Sequence, residues 1–75
     1  MKTSDRTVHR IGDLVPQCEG NERSIGVRST GEAIAIALVL NRADLLPDGY
    51  THVLHAVDRL GDEWLKAAIE VARYR

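Results

Sequence analysis

The sequence predicts a small all-α protein, and three observations support that prediction. Apolar residues recur at three- and four-residue spacing in several segments, as they do on one face of a helix. The apolar run at 33–40, AIAIALVL, contains three alanines, which favour helices and are depleted in strands. A strand there would also lack a partner, because no other segment has convincing strand character. We therefore expect four short helices, at about 5–14, 30–42, 51–60 and 62–74, and an irregular loop at 16–29.

The first helix is indicated by an apolar stripe that ends at a proline. Ser4 is its predicted N-cap, and Pro16 is expected to end it, because the residue before a proline is pushed out of the helical region. The stripe consists of Val8, Ile11, Leu14 and Val15. The polar segment that follows contains Gly20 and Gly26 and is predicted to be a loop, with Ile25 and Val27 in a short extended piece that turns inward.

The second helix has a local start signal. Ser29-Thr30-Gly31-Glu32 fits the capping box, in which the serine hydroxyl accepts from the third amide and the glutamate reaches back. The apolar run that follows shows no polar face, so we expect this helix at the centre of the fold.

The second half of the chain predicts two amphipathic helices joined at Gly61. Leu45 and Leu46 are expected to close one end of the bundle, and Thr51 and Asp62 are the predicted N-caps of the third and fourth helices. The stripe of the third helix consists of Tyr50, Val53, Leu54, Val57 and Leu60. The apolar face of the fourth consists of Trp64, Leu65, Ala68, Ile69, Val71 and Ala72.

The length of 75 residues predicts a single domain, 1–75, that needs extra stabilisation. A domain this small buries only about 60% of its unfolded surface. Cys18 is the only cysteine, so a disulfide within the chain is excluded, and no Cys/His cluster has structural-zinc spacing. Self-association remains. Because so short a chain has too few residues to cover the apolar second helix, we expect a two-fold homodimer. The alternative is a monomer in which the loop that carries Ile25 and Val27 closes the core. The predicted interface comprises Ile34, Leu38, Trp64 and Tyr74.

Charge and patterning exclude several classes of partner. The net charge of −1 lacks the basic excess that phosphate-backbone binding needs, so we do not expect a single chain to bind nucleic acid. The start MKTSDRTVHR has no signal-peptide pattern, and the apolar run is too short to span a bilayer. Together with the lone cysteine, these features predict a cytoplasmic protein.

The most suggestive segment for chemistry is 23–32. It places Arg23, Arg28, Ser29, Thr30 and Gly31 at the start of a helix, where free amides and the helix dipole attract anions. These five residues are the candidate anion-binding site, although two arguments oppose it. A P-loop requires a lysine after the glycine, and this segment has none. Glu32 also already occupies the helix start.

Other candidate sites are weaker. His52 and His55 are spaced to share a metal, but no third ligand is identifiable, so we expect no metal. Cys18 lies beside no evident base and is predicted to be an incidental thiol. Paired carboxylates, nucleophile–base sets and cofactor motifs are missing from the sequence, so we expect neither enzyme activity nor a cofactor.

The expected function is therefore a protein-interaction module that acts as a homodimer and presents Trp64, Tyr74 or the 16–29 loop to an unknown protein partner. The alternative is a nucleic-acid-binding regulator. It would use a helix-turn-helix-like 51–74 segment, although acidic Asp58 and Asp62 would face phosphates there. Otherwise it would use a dimer surface that combines Arg6, Arg10, Arg23 and Arg28.

Overall fold

Four α-helices make up most of the computed structural model, which describes residues 5–74 of the chain. They are α1, Asp5–Cys18; α2, Thr30–Val39; α3, Val53–Leu60; and α4, Asp62–Arg73. Two short 3₁₀ turns, Glu22–Val27 and Ala43–Leu45, precede and follow α2. The range 5–74 contains no strand, and the all-α prediction is confirmed. Ser4, the predicted N-cap of the first helix, lies outside the described residues.

The helix α2 lies at the centre of the fold, as its all-round apolar sequence predicts. It contacts α1, α3, α4 and both 3₁₀ turns. Residues 33–37 are buried, and Ile34 is 0% exposed. The reasoning that a single chain cannot cover this helix is therefore wrong. Its three alanines keep α2 thin, so the surrounding helices approach closely and enclose it with few residues.

The helix α1 runs four residues beyond its predicted end, through Pro16 to Cys18. Leu14, Val15 and Cys18 are all buried, so ending the helix earlier would remove apolar side chains from the core. The ladder continues past the proline, because the Glu19 amide donates to the Val15 carbonyl at 2.9 Å. Burial here outweighs the local cost of proline in a helix.

The segment 16–29 is not the irregular loop that was predicted, since Glu22–Val27 forms a 3₁₀ turn. Ile25 is buried as expected, but Val27 is 82% exposed. The reason is geometric. Residues two apart share a face in an extended chain, whereas a 3₁₀ helix has three residues per turn and turns Val27 away from Ile25.

The helix α2 ends at Val39, three residues before its predicted end. Asn41 adopts a positive φ of 56°, and the next amide, of Arg42, donates to the Ala37 carbonyl at 2.9 Å. The Asn41 amide donates to the Leu38 carbonyl at 3.1 Å. This pair of bonds is a Schellman motif, with asparagine in the left-handed position usually taken by glycine.

The helix α3 is capped by His52, and the prediction of Thr51 is wrong. The His52 side chain accepts from the Leu54 amide at 3.2 Å through Nδ1. The buried residues of α3 are Ala56 and Leu60, whereas Val53 and Leu54 of the predicted stripe are exposed. Leu54 lies two residues before the buried Ala56, about 200° around the helix, so it faces away from the core when Ala56 faces inward.

The helix α4 begins directly after Gly61, whose φ is 83°. Asp62 is the first helical residue rather than the predicted cap, and its carboxylate still suits the positive end of the helix dipole. Ala67, absent from the predicted apolar face, is fully buried together with Ala68.

Leu46 is buried and Leu45 half-buried, as predicted for the end of the bundle. None of the helices within residues 5–74 is both long and apolar enough to cross a bilayer.

Candidate functional site

A cavity of about 350 Å³ lies where the two 3₁₀ turns meet the start of α2. We call it the turn cavity. Its apolar lining includes Ile25, Ala33, Leu45 and Pro47, and its polar lining includes Glu22, Arg28, Thr30 and Asp44. A volume of this size with mixed lining is at the lower end of the range for small-molecule sites.

The turn cavity contains part of the predicted anion site. Arg28 and Thr30 line it, but Arg23, Ser29 and Gly31 do not. The Ser29 hydroxyl instead accepts from the Glu32 amide at 3.3 Å, which confirms the predicted cap.

The guanidinium of Arg28 has few partners among residues 5–74. Its Nη2 donates to Gln17 Oε1 over a long 3.4 Å, and its Nε is buried with no hydrogen-bond partner in this part of the chain. Buried polar groups normally have a partner, so an orphaned donor requires an explanation.

Arg42 pairs with one acidic residue of each 3₁₀ turn beside the turn cavity. Its guanidinium donates two hydrogen bonds to Asp44, of 2.9 and 2.8 Å, and lies 3.0 Å from the carboxylate of Glu22. The bidentate pairing holds the pKa of the Asp44 carboxyl below its usual value and raises the pKa of Arg42. Arg42 therefore pairs with both acidic residues of the lining.

The start of α2 carries a second ion pair, away from the cavity lining. Arg10 of α1 donates to the Glu32 carboxylate at 2.8 Å. This hydrogen bond holds the pKa of Glu32 below its usual value, against a smaller opposing effect of partial burial. A carboxylate thus lies at this helix end, as the argument against an anion in the first turn supposed.

We expect the Arg10–Glu32 pair to stabilise the fold only at pH values at which Glu32 is ionised. A folded-state pKa below the unfolded one gives stability that is complete above the unfolded value, near 4.5, and is lost as the pH falls through the lowered value. Urea unfolding of the Arg10→Gln, Glu32→Gln and double variants gives the coupling energy. We expect roughly 0.5 kcal/mol at neutral pH, because Arg10 is largely exposed, and none near pH 2. An equal coupling energy at both pH values would contradict this assignment.

A second surface feature is a small groove between α2 and α4, which we call the α2–α4 groove. All of its lining residues are apolar, and its volume is about 90 Å³. Ile69 is 48% exposed there. The lining consists of Leu38, Val39, Leu65, Ala68, Ile69 and Ala72.

The four predicted interface residues do not come together. Ile34 is enclosed by its own chain and is unavailable to a partner, so its assignment is corrected. Leu38 lines the α2–α4 groove, and Trp64 packs half-buried against the core. Tyr74 is 78% exposed but lies on another side of α4, in a groove shared with Pro16 and other residues of α1.

The imidazoles of His52 and His55 stack with their centroids 4.8 Å apart. No group of three or more potential metal ligands occurs within the described part of the chain.

Cys18, expected in a polar loop, is instead buried at the end of α1, where its Sγ accepts from the Ser24 hydroxyl at 3.2 Å.

The arginines of the alternative nucleic-acid surface occupy different places. Arg6 and Arg10 line an open hollow on α1, whereas Arg28 lines the turn cavity and Arg23 is exposed on the first 3₁₀ turn. On the α3–α4 pair, Asp58 and Asp62 are exposed on either side of Gly61, as the charge argument against DNA binding supposed.

Comparison of the chain with protein-family models, curated proteins and solved structures finds no match. The functional reading therefore depends on the geometry of the turn cavity and the α2–α4 groove.

Proposed function

We propose that this chain is a cytoplasmic, non-catalytic protein-interaction module that acts as a homodimer, and that two copies meet through the α2–α4 groove. The observation that carries the proposal is the wholly apolar lining of this groove, with Ile69 half exposed at its edge. Burying such a side chain against another apolar surface is favourable by about 25 cal/mol per Å².

The sequence of α4 supports pairing with a second copy of itself. Asp62, Leu65, Ile69 and Ala72 follow the three- and four-residue spacing of a coiled-coil seam. In an antiparallel pair, Leu65 of each copy falls in one layer with Ile69 of the other. The small Ala72 then lies opposite Asp62 at both ends.

Charge favours the same antiparallel arrangement. Each α4 carries acidic Asp62 and Glu63 in its first turn and basic Arg73 in its last. Two antiparallel copies place these opposite charges together at both ends of the contact, whereas a parallel pair places like charges together. In this arrangement the groove receives apolar side chains of the partner between Leu38 and Val39 of α2 on one side and the apolar residues of α4 on the other.

The contact is small, so the dimer is expected to be weak. A helix of 12 residues is roughly 18 Å long and offers less than the ~800 Å² per partner of a standard interface. We expect dissociation constants in the range of roughly 10 µM to 1 mM.

The experiment compares Ile69→Lys with Leu54→Lys in sedimentation equilibrium. Leu54 is 70% exposed on α3 and lies outside the α2–α4 groove, so it matches the chemistry of the change without touching the proposed contact. We expect wild type and Leu54→Lys to dimerise with similar affinity and Ile69→Lys to weaken dimerisation at least about 10-fold. A single 8.3 kDa species for the wild type at millimolar concentration, or equal weakening by both variants, would overturn the proposal.

The proposed cytoplasmic location is supported by the low cysteine content, since secreted domains of this size often depend on disulfides and this chain has a single cysteine.

A further inference from the structure

We propose that the turn cavity binds a free α-amino acid with an apolar side chain. This inference is independent of the α2–α4 groove. It depends on the presence of a basic residue, two acidic residues and an apolar wall in one cavity of about 350 Å³.

The carboxylate of the ligand is assigned to Arg28 and Thr30. Arg28 brings N–H donors that the described residues use poorly, since its one side-chain hydrogen bond is 3.4 Å long and its Nε has no partner in residues 5–74. A carboxylate can accept two parallel hydrogen bonds from a guanidinium. The Thr30 hydroxyl, at the first position of α2, adds a neutral donor beside the positive end of the helix dipole.

The ammonium group is assigned to Glu22 and Asp44. Both line the cavity and both pair with Arg42, which itself is not part of the lining. A carboxylate has about four lone-pair sites, so each can accept further hydrogen bonds after pairing with Arg42. The single charge of Arg42 does not neutralise two carboxylates, and the remaining negative charge favours a cation.

The apolar side chain is assigned to the wall formed by Ile25, Ala33, Leu45 and Pro47. Ile25 comes from the first 3₁₀ turn, Ala33 from α2 and Leu45 from the second 3₁₀ turn, and Pro47 follows that turn. The wall therefore exists only in the folded chain. Ligands with one charge only would leave either Arg28 or the acidic pair without a complement, and the zwitterion satisfies both.

The experiment titrates three probes of similar shape and records backbone amide shifts by NMR. L-Leucine carries both charges, 4-methylpentanoate lacks the ammonium group, and 3-methylbutylamine lacks the carboxylate. We expect leucine to shift the amides of 25–33 and 44–46 with a dissociation constant of about 1 mM, as is reasonable for so small a ligand. The two singly charged probes are expected to bind at least about 10-fold more weakly.

Two variants test the assigned roles. A dispersed amide NMR spectrum shows that each variant folds. Arg28→Gln is expected to weaken leucine binding about 10-fold, whereas the matched control Arg23→Gln, on the exposed side of the same segment, leaves it unchanged. Asp44→Asn is expected to weaken leucine binding and to leave the weaker binding of 4-methylpentanoate unchanged, which keeps the test valid even if Arg28→Gln unfolds.

The proposal is overturned if leucine causes no shifts at roughly 10 mM, or if 4-methylpentanoate binds as tightly as leucine. Equal losses from Arg23→Gln and Arg28→Gln would also overturn it, because general electrostatic attraction would then explain the binding.

Discussion

Replacing Ile34 by alanine is expected to lower the free energy of unfolding by about 3–4 kcal/mol. Ile34 is 0% exposed at the centre of α2, so the substitution leaves a void that the surrounding α1, α3 and α4 fill only in part. A domain of 75 residues has a total stability of roughly 4–11 kcal/mol, so this single change removes a large share of it. Urea unfolding followed by circular dichroism gives the shift in midpoint.

The control for this experiment is Leu54→Ala, since Leu54 is 70% exposed on α3. It should change stability by less than about 0.5 kcal/mol. A small effect of Ile34→Ala would mean that α2 is not enclosed as described. A change in protein concentration should shift the urea midpoints of the wild type and of Ile34→Ala by the same amount, because the enclosure of Ile34 needs no second copy.

Replacing Pro16 by alanine is expected to stabilise the protein by about 1–2 kcal/mol. Pro16 lies inside α1 and has no amide to donate to the Gly12 carbonyl, a defect that costs about 3 kcal/mol in a helix interior. Its stiffening of the unfolded chain offsets up to ~1 kcal/mol of that cost. Alanine restores the missing hydrogen bond, and the melting temperature should rise by about 4–8 °C for each kcal/mol gained.

Gly12→Ala provides the comparison for Pro16→Ala. An added Cβ at Gly12 meets no atom within 4 Å, so alanine there gains helix propensity without restoring a hydrogen bond. We expect a gain of about 0.5–1 kcal/mol, smaller than that of Pro16→Ala. A loss of stability in Pro16→Ala would instead indicate that the proline sets the direction in which Cys18 enters the core.

The parts of the fold that the sequence predicted well depend on neighbouring residues. Ser29 caps α2 by accepting from the Glu32 amide, three residues along the chain, and the last two helices are joined at Gly61, as predicted. Pro16 is the opposite case, because the local rule against a helical proline was overcome by burial of Leu14 and Val15, which depends on distant partners. Asn41 was a usable signal that was missed, since asparagine shares with glycine the ability to end a helix in the left-handed region.

The turn cavity was only half predictable for the same reason. Arg28 and Thr30 belong to one continuous segment, so their convergence could be inferred from sequence. Asp44 and Pro47 are contributed by a segment beyond α2, and the pairing of Arg42 with Glu22 joins residues 20 positions apart. Similarly, Ile69 was placed on the apolar face of α4, but which side of that face stays uncovered depends on how α4 is rotated against α2.

The burial of Cys18 makes the alkylation rate of its thiol a measure of how often the end of α1 opens. It is the only sulfhydryl in the chain, and it is enclosed in the core with the Ser24 hydroxyl on its sulfur. An alkylating reagent can reach it only when the end of α1 separates from its neighbours, so the labelling rate counts those openings without any introduced probe.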